Sequence, residues 1–178
     1  MNDMSNPDAF GVLTEPAMLT IKRVLPGPVE RVWAYLTESD LRRKWMAAGD
    51  MELAVGAPFE LTWRNDELTN PPGRRPEDFG EVHSMRSEIT EVDPPRRLSF
   101  TWGNTGGVTF QLEPLGDNKA LLTVIHRRVA DPSVRLNVCA GWHAHLDVLA
   151  ARMSGTEPET FWDHWSKLKQ EYQTRLSA

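Results

Sequence analysis

The chain has 178 residues, 40% of them hydrophobic, a formal net charge of -5 and a single cysteine, Cys139. That length suits one domain with a substantial core. The lone cysteine excludes an internal disulfide and fits a reducing cytoplasm, and the acidic balance argues against nucleic acid as the main partner.

The basic clusters Arg42-Arg43-Lys44, Arg74-Arg75, Arg96-Arg97 and Arg127-Arg128 are scattered among acids and read as solvated surface. Cys139 reads as a small packing residue rather than a reactive thiol. Residues 1–17 have no basic start followed by an apolar run, so they form neither a signal peptide nor a membrane span and read as a tail.

Residues 18–25 predict a strand stopped by Pro26-Gly27-Pro28, which also sets a proline in the first turn of a helix. Val29, Val32, Trp33 and Leu36 then recur at helical spacing, and Ser39 caps a second short helix carrying Leu41 and Trp45. After Gly49 the period becomes two, with Phe59, Leu61 and Trp63 on one side of a strand and Glu60, Thr62 and Arg64 on the other.

The connection over 65–78, centred on Pro71-Pro72-Gly73, is long for a compact domain, and both a functional loop and a disordered one fit it. The strand expected over 80–92 keeps no single phase, because an odd number of positions separates Val82 from Ile89, and this predicts a bulge or bend. Pro94-Pro95 turns the chain, and Leu98, Phe100 and Trp102 share one side of the returning strand. Asn104-Thr105-Gly106 turns it again. Val108, Phe110 and Leu112 line the next strand, and Gly116-Asp117-Asn118 leads into the last, 120–128.

From Val138 the period is that of a helix, with Trp142, Leu146, Leu149, Ala150 and Met153 on one stripe and Gly155 at its end. Thr156 and Glu159 have capping-box spacing with Pro158 in the first turn. They precede a terminal helix striped by Phe161, Trp165, Leu168, Tyr172 and Leu176.

This order of elements resembles the helix-grip fold of the START and birch-pollen-allergen superfamily, also called SRPBCC. Pro28-Val29-Glu30-Arg31-Val32-Trp33-Ala34 with Leu41 and Trp45, the hairpin started by Gly56, the run from Asp93 to Trp102, Phe110-Gln111-Leu112-Glu113-Pro114, Thr123 to His126, and Gly141-Trp142 are similar to its bacterial AHSA-like branch. The resemblance spans residues 18–155. It implies an α+β domain whose curved antiparallel sheet wraps a long C-terminal helix, with two short helices after the first strand. Residues 1–17 are then a tail and residues 156–178 an additional helix packed on the domain. Gly56-Ala57 stands where the family has a glycine pair, and the 65–78 loop and the terminal helix are longer than a minimal member needs.

A curved sheet laid on one helix leaves space that is filled either by bulky aromatics or by a ligand. Trp33, Trp45, Trp63, Trp102 and Trp142 fall on predicted apolar faces; each alone reads as core, and the set favours a cavity, to which Phe110, His126, His145 and Leu149 also belong. His126 shares the Leu122/Val124 phase and His145 flanks the Leu146/Leu149 stripe, so both are candidates for polar groups inside, whereas His143 shares a face with Asp147 and Ser154 and is expected in solvent. Alternation of turns along a meander gathers 65–79, 103–107 and 129–140 at one end, the expected mouth, with the acids Asp66, Glu67 and Asp78. Trp162 and Trp165 are expected to dock the added helix.

There is no nucleophile elbow, phosphate loop, cysteine pair or His-Glu-x-x-His, and His143 and His145 are two apart on a helix, so neither a metal, a cofactor nor a catalytic residue is assigned. Binding of a small, largely apolar molecule is the leading reading, in a cytoplasmic protein that engages neither membrane nor nucleic acid. A cavity enzyme of cyclase, aromatase or hydrolase type on a polyketide-like substrate, with His126 or His145 as acid or base, is what the superfamily resemblance implies as the alternative. Activation of a chaperone ATPase is implied only by the branch name and ranks last. Ligand identity and oligomeric state are left open.

Overall fold

The computed structural model describes residues 10–14, 18–103, 106–129 and 131–177. Most of the expected tail and two residues of the Asn104-Thr105-Gly106 turn lie outside the described residues. The part of the tail from Phe10 is structured instead: Val12–Thr14 is an edge strand, β1, in register with the start of β2.

The remaining strands are β2 (Met18–Pro26), β3 (Ala47–Ala48), β4 (Pro58–Trp63), β5 (His83–Asp93), β6 (Arg97–Thr101), β7 (Gly107–Leu115) and β8 (Lys119–Arg127). They form one antiparallel sheet in the order β1-β2-β8-β7-β6-β5-β4-β3. Alternation sets its inner face: Leu19, Ile21 and Leu25 of β2 stand opposite His126, Val124 and Ala120 of β8, all buried. The bulge expected in β5 falls at Thr90, since Ile89 pairs with Phe100 but Glu91 with Ser99. The inward phase thereby shifts from Ile89 to Val92, while Val82 precedes the strand and is exposed.

Two short helices, α1 (Val29–Thr37) and α2 (Ser39–Arg42), follow β2, and α1 lies against β7 and β8. Arg42, read from the sequence as surface, is 1% exposed. Its guanidinium ties the helix pair to the next segment by donating to the carbonyls of Leu36, Thr37, Ala47 and Gly49. Burial pulls its pKa down to about 10, partly offset by Asp50, so it stays charged at neutral pH. Gly49 is required beside it, because a Cβ there would lie 1.9 Å from the Glu60 carbonyl oxygen.

The long helix α3 runs over Pro132–Ser154, starting six residues before its apolar stripe. Asp131 caps it, its carbonyl accepting from Arg135 N at 2.8 Å and its carboxylate from Val134 N at 3.4 Å. No apolar period marks this first turn, where Val134 is half exposed. Gly155 takes a positive φ of 72° and Thr156 N returns to the Ala151 carbonyl at 2.9 Å, so Thr156 closes α3 rather than opening the next helix.

Helix α4 begins only at Phe161 and runs to Ser177. Its first amides are capped from the long loop: Phe161 N donates to Thr69 Oγ1 at 2.9 Å and Trp162 N to the Pro72 carbonyl at 3.0 Å. Trp162 Nε1 reaches Asp66 Oδ1 at 2.7 Å and Arg74 N reaches Asp163 Oδ1 at 3.1 Å, so the 65–78 loop is ordered by α4. Gly73 permits this approach, since a Cβ would meet Thr160 Cγ2 at 2.6 Å. Phe161, Trp165, Leu168 and Tyr172 bury the helix against the body, and the stripe ends there, with Leu176 exposed.

The Tyr172 hydroxyl accepts from Gly11 N at 2.7 Å and lies 2.9 Å from His143 Nδ1, joining the chain's start, α3 and α4. Tyr172→Phe, which leaves the Gly11 N–H without its acceptor, is expected to lower the melting temperature by roughly 5 °C. Removal of residues 157–178 should cause aggregation or a much larger loss. An unchanged melting temperature in either variant contradicts this role for α4.

Candidate functional site

The space deep between sheet and α3 is filled: Phe100, Phe110, Leu122, Val124, Leu146 and Leu149 are all buried in one core cluster. Open volume lies at the end of the sheet, where a cleft of about 470 Å³ is bounded by strand ends, α3, α4 and the rim 78–83. Trp63 comes from the end of β4, Trp102 follows β6, Gly141, Trp142 and His145 belong to α3, and Phe161, Trp162 and Trp165 to α4.

The rings form two arrays. Trp63, Trp102 and Trp142 succeed one another at centroid distances of 5.6 Å. Phe79 meets Trp162 at 5.4 Å and Trp165 at 5.2 Å. Both arrays are tilted or edge-on, as ring quadrupoles favour. Between them α3 presents Gly141, where an added Cβ would have only Trp165 Nε1 at 4.0 Å as neighbour. The missing side chain opens the cleft.

Of the residues expected to line a cavity, Trp63, Trp102, Trp142 and His145 meet here. Phe110 and His126 stand one layer behind. Phe110 packs edge-on to Trp142 at 5.8 Å, and His126 Nδ1 accepts from Trp142 Nε1 at 3.0 Å. Trp45 is fully buried, donating to the Tyr35 carbonyl at 2.8 Å, and Leu149 is buried in the core. Trp33 sits half-buried on α1, away from the cleft.

Trp162, Trp165, Phe161, Phe79 and Gly141 were not among the expected lining residues. One signal for them exists: Trp162 lies beside the Phe161/Trp165 stripe, so α4 carries a wider aromatic face than docking on one helix requires.

Burial pushes His126 and His145 down to about 4, although the hydrogen bond from His145 to the Trp45 carbonyl, at 2.8 Å, works the other way. Both imidazoles are neutral at neutral pH. His126 accepts at Nδ1 and so carries its proton on Nε2; His145 donates from Nδ1 and leaves Nε2 unprotonated. Among the described residues no carboxylate contacts either ring.

The charged groups gather on the other face of α3. Asp147 accepts from Arg23 Nη2 at 3.0 Å and from His164 Nε2 at 2.7 Å, with His143 Nε2 at 3.5 Å and Glu159 on the far side of His164 at 2.7 Å. Burial alone would raise the Asp147 carboxyl, but the His164 hydrogen bond and the charges of Arg23 and His143 hold it below its ordinary value. His143 is buried here, not solvated, because α4 covers it.

Burial raises the Cys139 thiol to about 11, which keeps it unreactive. Among the described residues no group of three or more His, Cys, Asp or Glu is placed to hold a metal, and no helix is long and apolar enough to cross a membrane.

Fold and cleft together define a helix-grip α+β domain of the SRPBCC type. The family model for activator of Hsp90 ATPase homolog 1-like protein matches residues 26–154, and the chain belongs to that family. It is similar to the solution structure of the protein encoded by gene BPP1335 from Bordetella parapertussis. Identity is 35% over 98% of this chain and 95% of that one, with a TM-score of 0.78. CalU16 from Micromonospora echinospora shares the fold at 19% identity, covering 88% of this chain and 86% of that one, with a TM-score of 0.65. DynU16, of the dynemicin biosynthetic locus, shares it at 20% identity over 80% of this chain and 49% of that one, with a TM-score of 0.62. No curated protein matches. The family match ends at Ser154, so α4 lies beyond it, whereas the Bordetella match extends across α4.

The two buried histidines make stability pH-dependent. Their unfolded value is 6.5 and their folded value about 4, so the folded state takes up fewer protons as pH falls. Their contribution is present above the unfolded value and is lost on acidification between the two. The loss is about 3 kcal/mol for each histidine. Denaturant unfolding across that window should show the decline. His126→Gln, whose carboxamide oxygen still accepts from Trp142, should flatten it; an unchanged slope contradicts the assignment.

Proposed function

We propose that the protein binds a small, largely apolar molecule in the cleft between α3, α4 and the ends of β4 and β6. The observation that carries this reading is that five of the seven tryptophans, from four separate segments, line one recess of about 470 Å³. That volume falls among those of small-molecule sites. Burying an aromatic-sized ligand there contributes a few kcal/mol at about 25 cal/mol per Å² of apolar area, enough for roughly micromolar binding after ordering costs.

Enzymatic acid–base chemistry has weaker support. Burial holds His145, the one α3 histidine on the cleft wall, near 4, so it is no general acid at neutral pH, and no carboxylate among the described residues contacts its ring to support it as a base. The biosynthetic locus of DynU16 is a property of that protein, and here it supports only the kind of ligand, an organic molecule of moderate size. Chaperone activation is named in the family's description; the lining residues offer it no specific support.

Gly141→Leu tests the binding reading. The helix gains about 1 kcal/mol of intrinsic propensity at this position, and the new side chain projects into open space, so folding should be kept or improved while the cleft is filled. Native mass spectrometry of freshly purified protein is expected to show a retained small molecule, or uptake from a panel of aromatic compounds, in the unsubstituted chain and neither in Gly141→Leu. Equal uptake by both, or none by either, overturns the proposal.

A further inference from the structure

We infer that the cleft selects aromatic molecules bearing a positive charge, a protonated amine or a quaternary ammonium, over those bearing a carboxylate. This rests on the binding reading and adds the charge class of the ligand.

The described walls offer π faces and acceptors. Indole faces are the strongest aromatic partners for an ammonium group, and five indoles converge here with Phe79 and Phe161. Among the described residues no lysine or arginine lines the cleft. The neighbouring Arg75 is engaged by Asp66, with Glu81 at 4.0 Å, and Arg152 donates to the Leu68 carbonyl at 2.6 Å. The rim carries two exposed carboxylates, Asp78 and Glu81.

Two of the five indole N–H donors that line the cleft are engaged by other side chains. Trp142 Nε1 is taken by His126, and Trp162 Nε1 by Asp66. His145 uses its one proton on the Trp45 carbonyl. Two lining carboxamides, Asn65 and Asn137, each hold an Oδ1 with no partner among the described residues. His83, the remaining titratable residue of the wall, is exposed beside Trp63, with ring centroids 5.5 Å apart. A carboxylate entering this recess loses water and meets no lysine or arginine among the described lining residues. An ammonium group gains ring faces, and the rim acids lie along its entry.

The test is calorimetric titration of the full chain at neutral pH with three probes of one shape: 2-(1-naphthyl)ethylamine, 2-(1-naphthyl)ethanol and 1-naphthylacetate. The expected order is ammonium, alcohol, carboxylate, with the ammonium about tenfold tighter than the alcohol. High salt, and the rim variant Asp78→Asn/Glu81→Gln, should lower the ratio of ammonium to alcohol affinity. If the alcohol binds and the ammonium binds no tighter, or if the carboxylate binds as well as the ammonium, this inference falls while the binding reading stands. If none of the three gives a saturable signal, both fall.

Discussion

The docking of α4 against α3 is the interaction on which the rest of this structure depends. Phe161, Trp165, Leu168 and Tyr172 leave water on one side of α4, and the same helix orders a long, proline-rich loop by taking its caps from that loop. A helix N-terminus exposes amides that must find acceptors; here Thr69 and Pro72 supply them. Because loop and helix complete each other, neither wall of the cleft exists without the other. The concave sheet itself is closed by its own core.

The buried or half-buried ionisable groups Arg42, Asp147, His126 and His145 each have a partner, and the partners decide their charge. Arg42 finds four carbonyls and keeps its proton. Asp147 finds Arg23 and His164 and remains ionised. His126 and His145 find only an indole and a carbonyl, and desolvation leaves them neutral. Charge is thereby concentrated on one face of α3, while the other face turns Gly141, Trp142 and His145 toward the cleft.

Strand phases, the bulge in β5, the two short helices and the long helix were legible because each leaves a periodic mark of its own. Trp63, Trp102 and Trp142 converge as their strand and helix phases imply, and of the connections expected at the mouth 65–79 and 129–140 supply lining residues, Asn65, Asp78, Phe79, Asn137 and Val138, whereas 103–107 supplies none. What period could not show was tertiary cover. His143 looks solvated along α3 until α4 lies over it, and Arg42 looks like surface until four carbonyls surround it. Phe110 and His126 point inward as expected, yet Trp142 stands between them and the opening, a matter of side-chain depth that alternation does not encode. The first turn of α3 carries no stripe because it lies beyond the core, and α4 took its caps from a distant loop rather than from Thr156 and Glu159. Gly141, the residue that opens the cleft, is legible only once its neighbours are known.

The central claim is that ligand binds at one recess shared by α3 and α4, and the seven tryptophans provide a direct reporter of it. Each indole N–H gives its own resonance in a proton–nitrogen correlation spectrum, assignable by single Trp→Phe substitutions. Titration with 2-(1-naphthyl)ethanol is expected to shift the indole signals of Trp63, Trp102, Trp142, Trp162 and Trp165, which line the cleft, and to leave those of Trp33 and Trp45 in place. Shifts confined to Trp33 and Trp45, uniform small shifts of all seven, or none at saturating probe would contradict the claim.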